Sequence, residues 1–170
     1  IPNKIGKGGA VITGLKEAKH DYCGFIDADD AFELEDLKNL IKELENNDVA
    51  IASKWRGKRF SEVKEPFTRK VLSRGWNFLV SMMMGLEFGD TQAGAKFFSK
   101  EAFDKIDKNF LCNGFEFDVE LLWKFKKKNL KMSEVAVRTR HMPDSSFRVT
   151  QIFYMFNKLV MLYKLSRKLK

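Results

Sequence analysis

The spacing of two short apolar runs around one amphipathic segment limits this chain more than any other feature of it. "YCGFIDA" (22–28) and "VAIAS" (49–53) are apolar almost throughout instead of alternating, the pattern of strands buried on both faces. Between them, "FELEDLKNLIKELENND" (32–48) sets Leu34, Leu37, Leu40, Ile41 and Leu44 on one helical stripe. Strand, helix and strand at this spacing predict a right-handed crossover and an α/β, Rossmann-like sheet that is mostly parallel and flanked by helices. Elsewhere, 6–21 reads as a Gly-rich turn and a short helix with Ala10, Val11, Leu15 and Ala18 inward. Segments 67–86 and 115–129 read as helices, 90–106 as turn, strand and helix, and 132–140 as a strand. With 170 residues and no repeat or low-complexity linker, residues 1–150 make one domain with a sizeable core. Residues 151–170 follow as a basic amphipathic helix.

The first strand runs directly into Asp27, Ala28, Asp29 and Asp30. Ligands of open α/β sheets bind at the carboxyl ends of strands, which is where Asp27 and Asp29 fall. Carboxylates this close repel unless a cation or proton lies between them, so a hard divalent ion with a diphosphate is one natural occupant. The other reading is a loop and helix cap before Phe32, with Asp30 as the cap. Lys7, Gly8 and Gly9 could cradle a phosphate. His20 reads as solvated, Met82-Met83-Met84 as core, and Cys23 and Cys112 as buried thiols of a reducing compartment.

Charge narrows the partners. The 31 basic residues exceed the 23 acidic ones, a net +8 that suits an anionic partner. The basic residues collect in 54–70 and the terminal helix, without the exposed face of interleaved aromatics expected of a nucleic-acid binder, so nucleic acid is not the expected partner. In 152–170, Lys158, Lys164, Arg167, Lys168 and Lys170 meet no acidic residue, and Phe, Tyr, Leu and Met occupy most of the remainder. That composition predicts a helix lying at a membrane interface, against the alternative of a helix packed on the sheet or on a partner chain. No run approaches the ~20 apolar residues of a membrane span, and residues 1–7 do not read as a secretory leader.

Six blocks in order, "GKGGAV", "FIDADDA", "DTQAGAKFF", "GFEFDVELL", "EVAV" and "PDSSFRV", resemble the family 2 glycosyltransferases, and among them the polyprenyl-phosphate and dolichyl-phosphate sugar synthases, the glucosyl branch above all. The resemblance implies a GT-A fold and inverting transfer of a hexose from a nucleotide sugar to a polyprenyl or dolichyl phosphate. It also implies a peripheral place at the cytoplasmic membrane face, and a first strand with its base-binding loop that would precede Gly6 and is absent here. UDP-glucose is the favoured donor and GDP-mannose the second; a catalytically inert fragment that docks on membranes or a partner is the alternative.

For individual residues the resemblance implies Mg²⁺ or Mn²⁺ on Asp27 and Asp29, and donor contacts from Lys7, Gly8, Gly9, Gln92, Gly94, Lys96, Ser146 and Arg148. It makes Asp29, Asp90 and Asp118 the catalytic candidates, with Asp118 as base or sugar-hydroxyl acceptor. Lys54, Arg69 and Arg74 would hold the acceptor phosphate. His141 is either a surface histidine or a late metal or diphosphate contact.

Overall fold

A computed structural model describes residues 6–29, 32–138 and 149–168. The order of elements is α1 (Gly6–Glu17), β1 (Tyr22–Ile26), α2 (Leu34–Glu43), β2 (Val49–Ser53), α3 (Phe67–Met84), β3 (Ala95–Ser99), α4 (Lys100–Asp104), α5 (Phe117–Lys127), β4 (Met132–Ala136) and α6 (Val149–Lys168). The four strands form one sheet in the order β1-β3-β2-β4.

The α/β class is as expected, but the sheet is mixed. β3 lies antiparallel between β1 and β2, and only β2 and β4 pair in parallel. The two strands flanking α2 therefore point the same way without touching. Each was read correctly as a strand; the expectation of a mostly parallel sheet fails because "AKFFS" carries no signal of its antiparallel insertion between them.

β2 alternates its buried residues between two cores. Val49 and Ile51 join Phe98, Phe103, Phe117 and Phe125 on one face. Ala50 and Ala52 join Leu40, Leu44 and Ala95 on the other, under α2. Of the α2 stripe, Leu40 and Leu44 are buried and Leu37 partly so, whereas Leu34 and Ile41 are exposed. Phe98 of β3 is the hub of the larger core, with its ring 5.7 Å from Phe103 and 5.0 Å from Phe125. α6 closes that core with Met155, Leu159 and Leu162, and it packs beside α3. One face of the basic helix is thus an ordinary core face. Among the described residues, no helix is long and apolar enough to cross a membrane.

The expected Gly-rich turn is itself helical. Gly6 enters α1 with φ +73°, and Gly8 lies against α5, where an added Cβ would stand 2.5 Å from the Phe117 Cβ. Glycine here is a packing requirement, and it lets α1 begin a turn earlier than its composition suggests. Ala10, expected inward, is exposed, and Ile12 packs against the core in its place.

Helix propensity favours Ala over Gly by about 0.5–1 kcal/mol. At Gly14 an added Cβ meets nothing within 4 Å, so Gly14→Ala should stabilise the fold by roughly that amount. At Gly8 the clash with Phe117 wins, and Gly8→Ala should destabilise by about 1–3 kcal/mol. Opposite shifts of the two denaturation midpoints are the expected result.

Candidate active site

The carboxyl end of β1 meets a buried array of alternating charge. Lys96 projects from β3 with no exposed surface, and its ammonium lies 2.6 Å from Asp118 Oδ1 and 2.7 Å from the Ala93 carbonyl oxygen. Asp118 stands in the first turn of α5, equally buried, where the helix dipole favours a negative charge. Its other oxygen faces Lys7 of α1 at 3.5 Å, and the same ammonium reaches Asp27 Oδ1 at 3.0 Å. The sequence Lys96–Asp118–Lys7–Asp27 therefore ties β3, α5 and α1 to the end of β1.

Burial opposes a charge on Lys7, but the Asp118 and Asp27 carboxylates outweigh it and hold its pKa above the ordinary value. Lys96 goes the other way: complete burial pulls its pKa down despite Asp118. Lys7 also lies 5.8 Å from the ring centroids of Phe25 and Phe115, a cationic position over aromatic faces.

Asp27 is partly exposed and closely backed. Its amide donates to the Gly94 carbonyl at 2.6 Å, and a Cβ on Gly94 would stand 2.3 Å from Asp27 Oδ2. Asp29, two residues on, is exposed. Two carboxylates so placed, one rigid and one open to solvent, suit Mg²⁺ or Mn²⁺, which keep water and substrate phosphate oxygens as their other ligands. Among the described residues, no group of three His, Cys, Asp or Glu could hold a metal by itself.

Asp90 forms a second node. It is buried, its amide donates to Glu134 Oε1 at 3.0 Å, and its Oδ2 accepts weakly from the Lys54 amide at 3.4 Å. Burial pushes the Asp90 carboxyl above its ordinary pKa of 3.8, although Lys54 and Lys96 resist this. The Lys54 ammonium lies 4.0 Å from Asp90 and 3.1 Å from Glu65. Asn77 of α3 fixes the neighbouring loop: it donates to the Gly89 carbonyl and accepts from the Thr91 amide and hydroxyl, the last at 2.7 Å.

The structure brings Lys7, Asp27, Gly94, Lys96 and Asp118 together as one unit, with Asp90 and Lys54 in a second. Gln92 is held by the Phe115 carbonyl at 3.1 Å. The Gly8 and Gly9 amides both donate to the Asn113 carbonyl, so in this arrangement they anchor α1. Arg69 lies 3.9 Å from Glu65, and the Arg74 guanidinium rests 5.2 Å from the Trp55 ring. Asp30, His141, Ser146 and Arg148 lie outside the described residues.

Sequence reading missed Glu65, Asn77, Asn113 and Glu134. Only Asn77 carries a signal, as a polar residue inside the apolar run "GWNFLVSMMM".

Residues 2–107 match the sequence pattern of glycosyl transferase family 2. The chain belongs to that family. It is 35% identical over 140 residues to a dolichyl-phosphate beta-glucosyltransferase of Drosophila melanogaster, covering 78% of this chain and 43% of that protein. It is 32% identical over 164 residues to a UDP-N-acetylglucosamine–dolichyl-phosphate N-acetylglucosaminyltransferase of Methanococcus voltae, covering 92% of this chain and 65% of that protein. The chain spans 42% to 49% of the first three glucosyltransferases it matches. The fold is shared with glucosyl-3-phosphoglycerate synthase from Mycobacterium tuberculosis crystallised with UDP, at a TM-score of 0.67 and 18% identity over 98% of this chain and 56% of that one. The architecture is accordingly GT-A.

Two stability outcomes follow from the charges. Asp118→Asn leaves Lys96 buried without its counter-ion and should cost about 3–5 kcal/mol; the double change Lys96→Met/Asp118→Leu should cost less than Asp118→Asn in chemical denaturation. Asp90 behaves oppositely. Its raised folded-state pKa is a stability penalty fully present above that pKa and absent below 3.8. Asp90→Asn should therefore unfold at a higher denaturant concentration than the parent at pH 7. The gain should shrink as pH falls through the folded-state pKa.

Proposed function

We propose that this chain supplies the metal, sugar and acceptor sides of an inverting transferase that moves a hexose from a nucleotide sugar to a polyprenyl or dolichyl phosphate. Its support in the geometry is the pair Asp27 and Asp29 at the end of β1, with the Lys7 ammonium 3.0 Å from Asp27. An array of carboxylates and an ammonium of this kind receives a divalent ion together with a diphosphate. The acceptor class follows from the relatives, two branches of which are named for transfer to dolichyl phosphate while differing in sugar.

In this reading Asp27 and Asp29 would hold Mg²⁺ or Mn²⁺, which would supply positive charge against the departing diphosphate. The fold neighbour's crystals with Mn²⁺ and UDP-glucose are consistent with such an ion. Lys7 adds a fixed positive charge on the same side. An oxygen of the lipid phosphate forms the new bond to the anomeric carbon, from the face opposite the leaving group. The bond from that carbon to the diphosphate oxygen breaks, its electrons leave with the nucleoside diphosphate, and the configuration inverts.

The nucleophile is already an anion, so no base need remove a proton. That removes the need for Asp118 to act as one, and its two ammonium partners suit it to positioning Lys7. Asp90 and Gln92 are placed to accept from and donate to sugar hydroxyls, and Gly94 leaves room for the Asp27 carboxylate to lie against its backbone. Lys96 supports the site from behind, through Ala93 and Asp118. Arg69 and Arg74, with Lys54 behind them, line the approach for the acceptor phosphate. Ser146 and Arg148, outside the described residues, are further donor contacts in this reading.

The enzyme lies peripherally on the cytoplasmic face, residues 1–150 forming the transferase domain and α6 meeting the bilayer. UDP-glucose is the favoured donor. The Methanococcus relative makes another UDP-sugar the next choice, ahead of GDP-mannose.

The test is transfer of labelled sugar into organic-extractable lipid by the full natural polypeptide, with Mn²⁺ and polyprenyl phosphate. Label from UDP-glucose is expected, and Asp29→Asn should lower it by about 100-fold or more with an unchanged unfolding midpoint. Undiminished transfer by Asp29→Asn would remove the metal assignment, and label from no nucleotide sugar would remove the transferase reading.

A further inference from the structure

Glu65 lies near the end of the loop between β2 and α3, and its carboxylate sits among the cations proposed for the acceptor. Glu65 Oε1 stands 3.1 Å from the Lys54 ammonium and 3.9 Å from Arg69 Nε. The Glu65 side chain is 12% exposed and Lys54 is half-buried, whereas Arg69 reaches solvent. Glu65 Oε2 is buried and has no hydrogen-bond partner among the described residues. The Lys54 ammonium also lies 4.0 Å from Asp90 Oδ2, so it keeps a carboxylate neighbour whether or not Glu65 is in place.

A glutamate that serves the fold is bonded differently. Glu120, buried in α5, accepts from the Leu111 and Cys112 amides at 2.9 Å and 2.8 Å through one oxygen, and its other oxygen lies 3.3 Å from Lys124. A buried ion pair stabilises a fold when its remaining lone pairs are satisfied in this way. Glu65 meets two cations with one oxygen and nothing with the other, an arrangement that a better-matched anion can replace. The loop is tied without it. Trp55 and Val63 are buried, the Trp55 indole donates to the Ser73 hydroxyl at 3.2 Å, and the Lys58 ammonium donates to the Val137 carbonyl at 3.0 Å.

We propose that the Glu65 carboxylate guards the acceptor seat, holding Lys54 and Arg69 until a phosphate monoester displaces it. Near neutral pH such a phosphate brings a charge of about −1.5 to −2 and three acceptor oxygens. Glu65 offers one charge and one engaged oxygen. A guanidinium fork and a compact ammonium can share a phosphate between them, so the exchange leaves neither cation bare. Singly charged anions have little drive to make the same exchange, and the guard sets a threshold that they do not reach. The inference rests on the reading of Lys54 and Arg69 as the acceptor's cations, and it adds what occupies them beforehand.

The experiment titrates the full natural polypeptide in a calorimeter, once with inorganic phosphate and once with a short polyprenyl phosphate dispersed in detergent. Glu65→Gln should bind both about tenfold more tightly than the parent, as expected of a seat otherwise open for about a tenth of the time. The gain should vanish in Glu65→Gln/Lys54→Gln. Glu62→Gln, which removes a carboxylate bonded to the Arg59 amide in the same loop, should bind as the parent does. A glutamate that merely braced the loop would give the opposite sign, because its loss would loosen the site. Unchanged or weaker binding by Glu65→Gln would therefore overturn the guard, as would equal tightening by Glu62→Gln or a gain that survives Lys54→Gln. Tightening for inorganic phosphate without polyprenyl phosphate would overturn its assignment to the acceptor. Asp29→Asn should bind both probes as the parent does, so the guard and the transferase reading can fail separately.

Discussion

The Lys96–Asp118 pair is the interaction on which the rest of the site depends. Two opposite charges are removed from water between the sheet and α5, a placement that stabilises only when both are present and well bonded. Its consequence is positional. With one oxygen fixed by Lys96, the other Asp118 oxygen faces Lys7, and Lys7 in turn faces Asp27. A carboxylate at a strand end would ordinarily swing in solvent; this one is held from behind by three elements. Loop 90–94 is set by the same logic, since the Ala93 carbonyl accepts from Lys96 while Asn77 holds Gly89 and Thr91.

The charges nearest the sheet are thus satisfied by one another, and those farther out meet solvent. Asp118 and Lys96 satisfy each other. Lys7 and Asp27 stand at the transition, and Asp29 is open. The second node repeats the gradient, from buried Asp90 through half-buried Lys54 outward to Arg69 and Arg74. Such layering lets a site carry several like charges within a small volume, because charges such as Lys7, Lys54 and Arg69 each face a carboxylate.

Much of this was legible in the sequence and some was not, for definable reasons. The strands 22–26 and 49–53 and helices α2, α3, α5 and α6 announce themselves through period and length. The antiparallel insertion of β3 does not, because strand order depends on which faces meet in three dimensions. Gly8 was legible as special but not as a contact with Phe117, since the partner lies far away in sequence. The Asp-x-Asp pair is visible at once, whereas its support by Lys96 through Asp118 and Lys7 spans more than a hundred residues and leaves no local trace. Glu65 and Glu134 look like ordinary surface acids until the fold turns them toward Lys54 and Asp90.

The contact between Gly94 and Asp27 also bears on how freely such a site can change. With a side-chain oxygen standing where the first atom of any side chain would go, position 94 is closed to every other residue as long as Asp27 keeps its post. Gln92, two positions earlier, is tethered differently, its side-chain amide donating to the Phe115 carbonyl. Variation at this end of the sheet is thereby channelled: position 92 can change by itself, while 94 and 27 can alter only in concert.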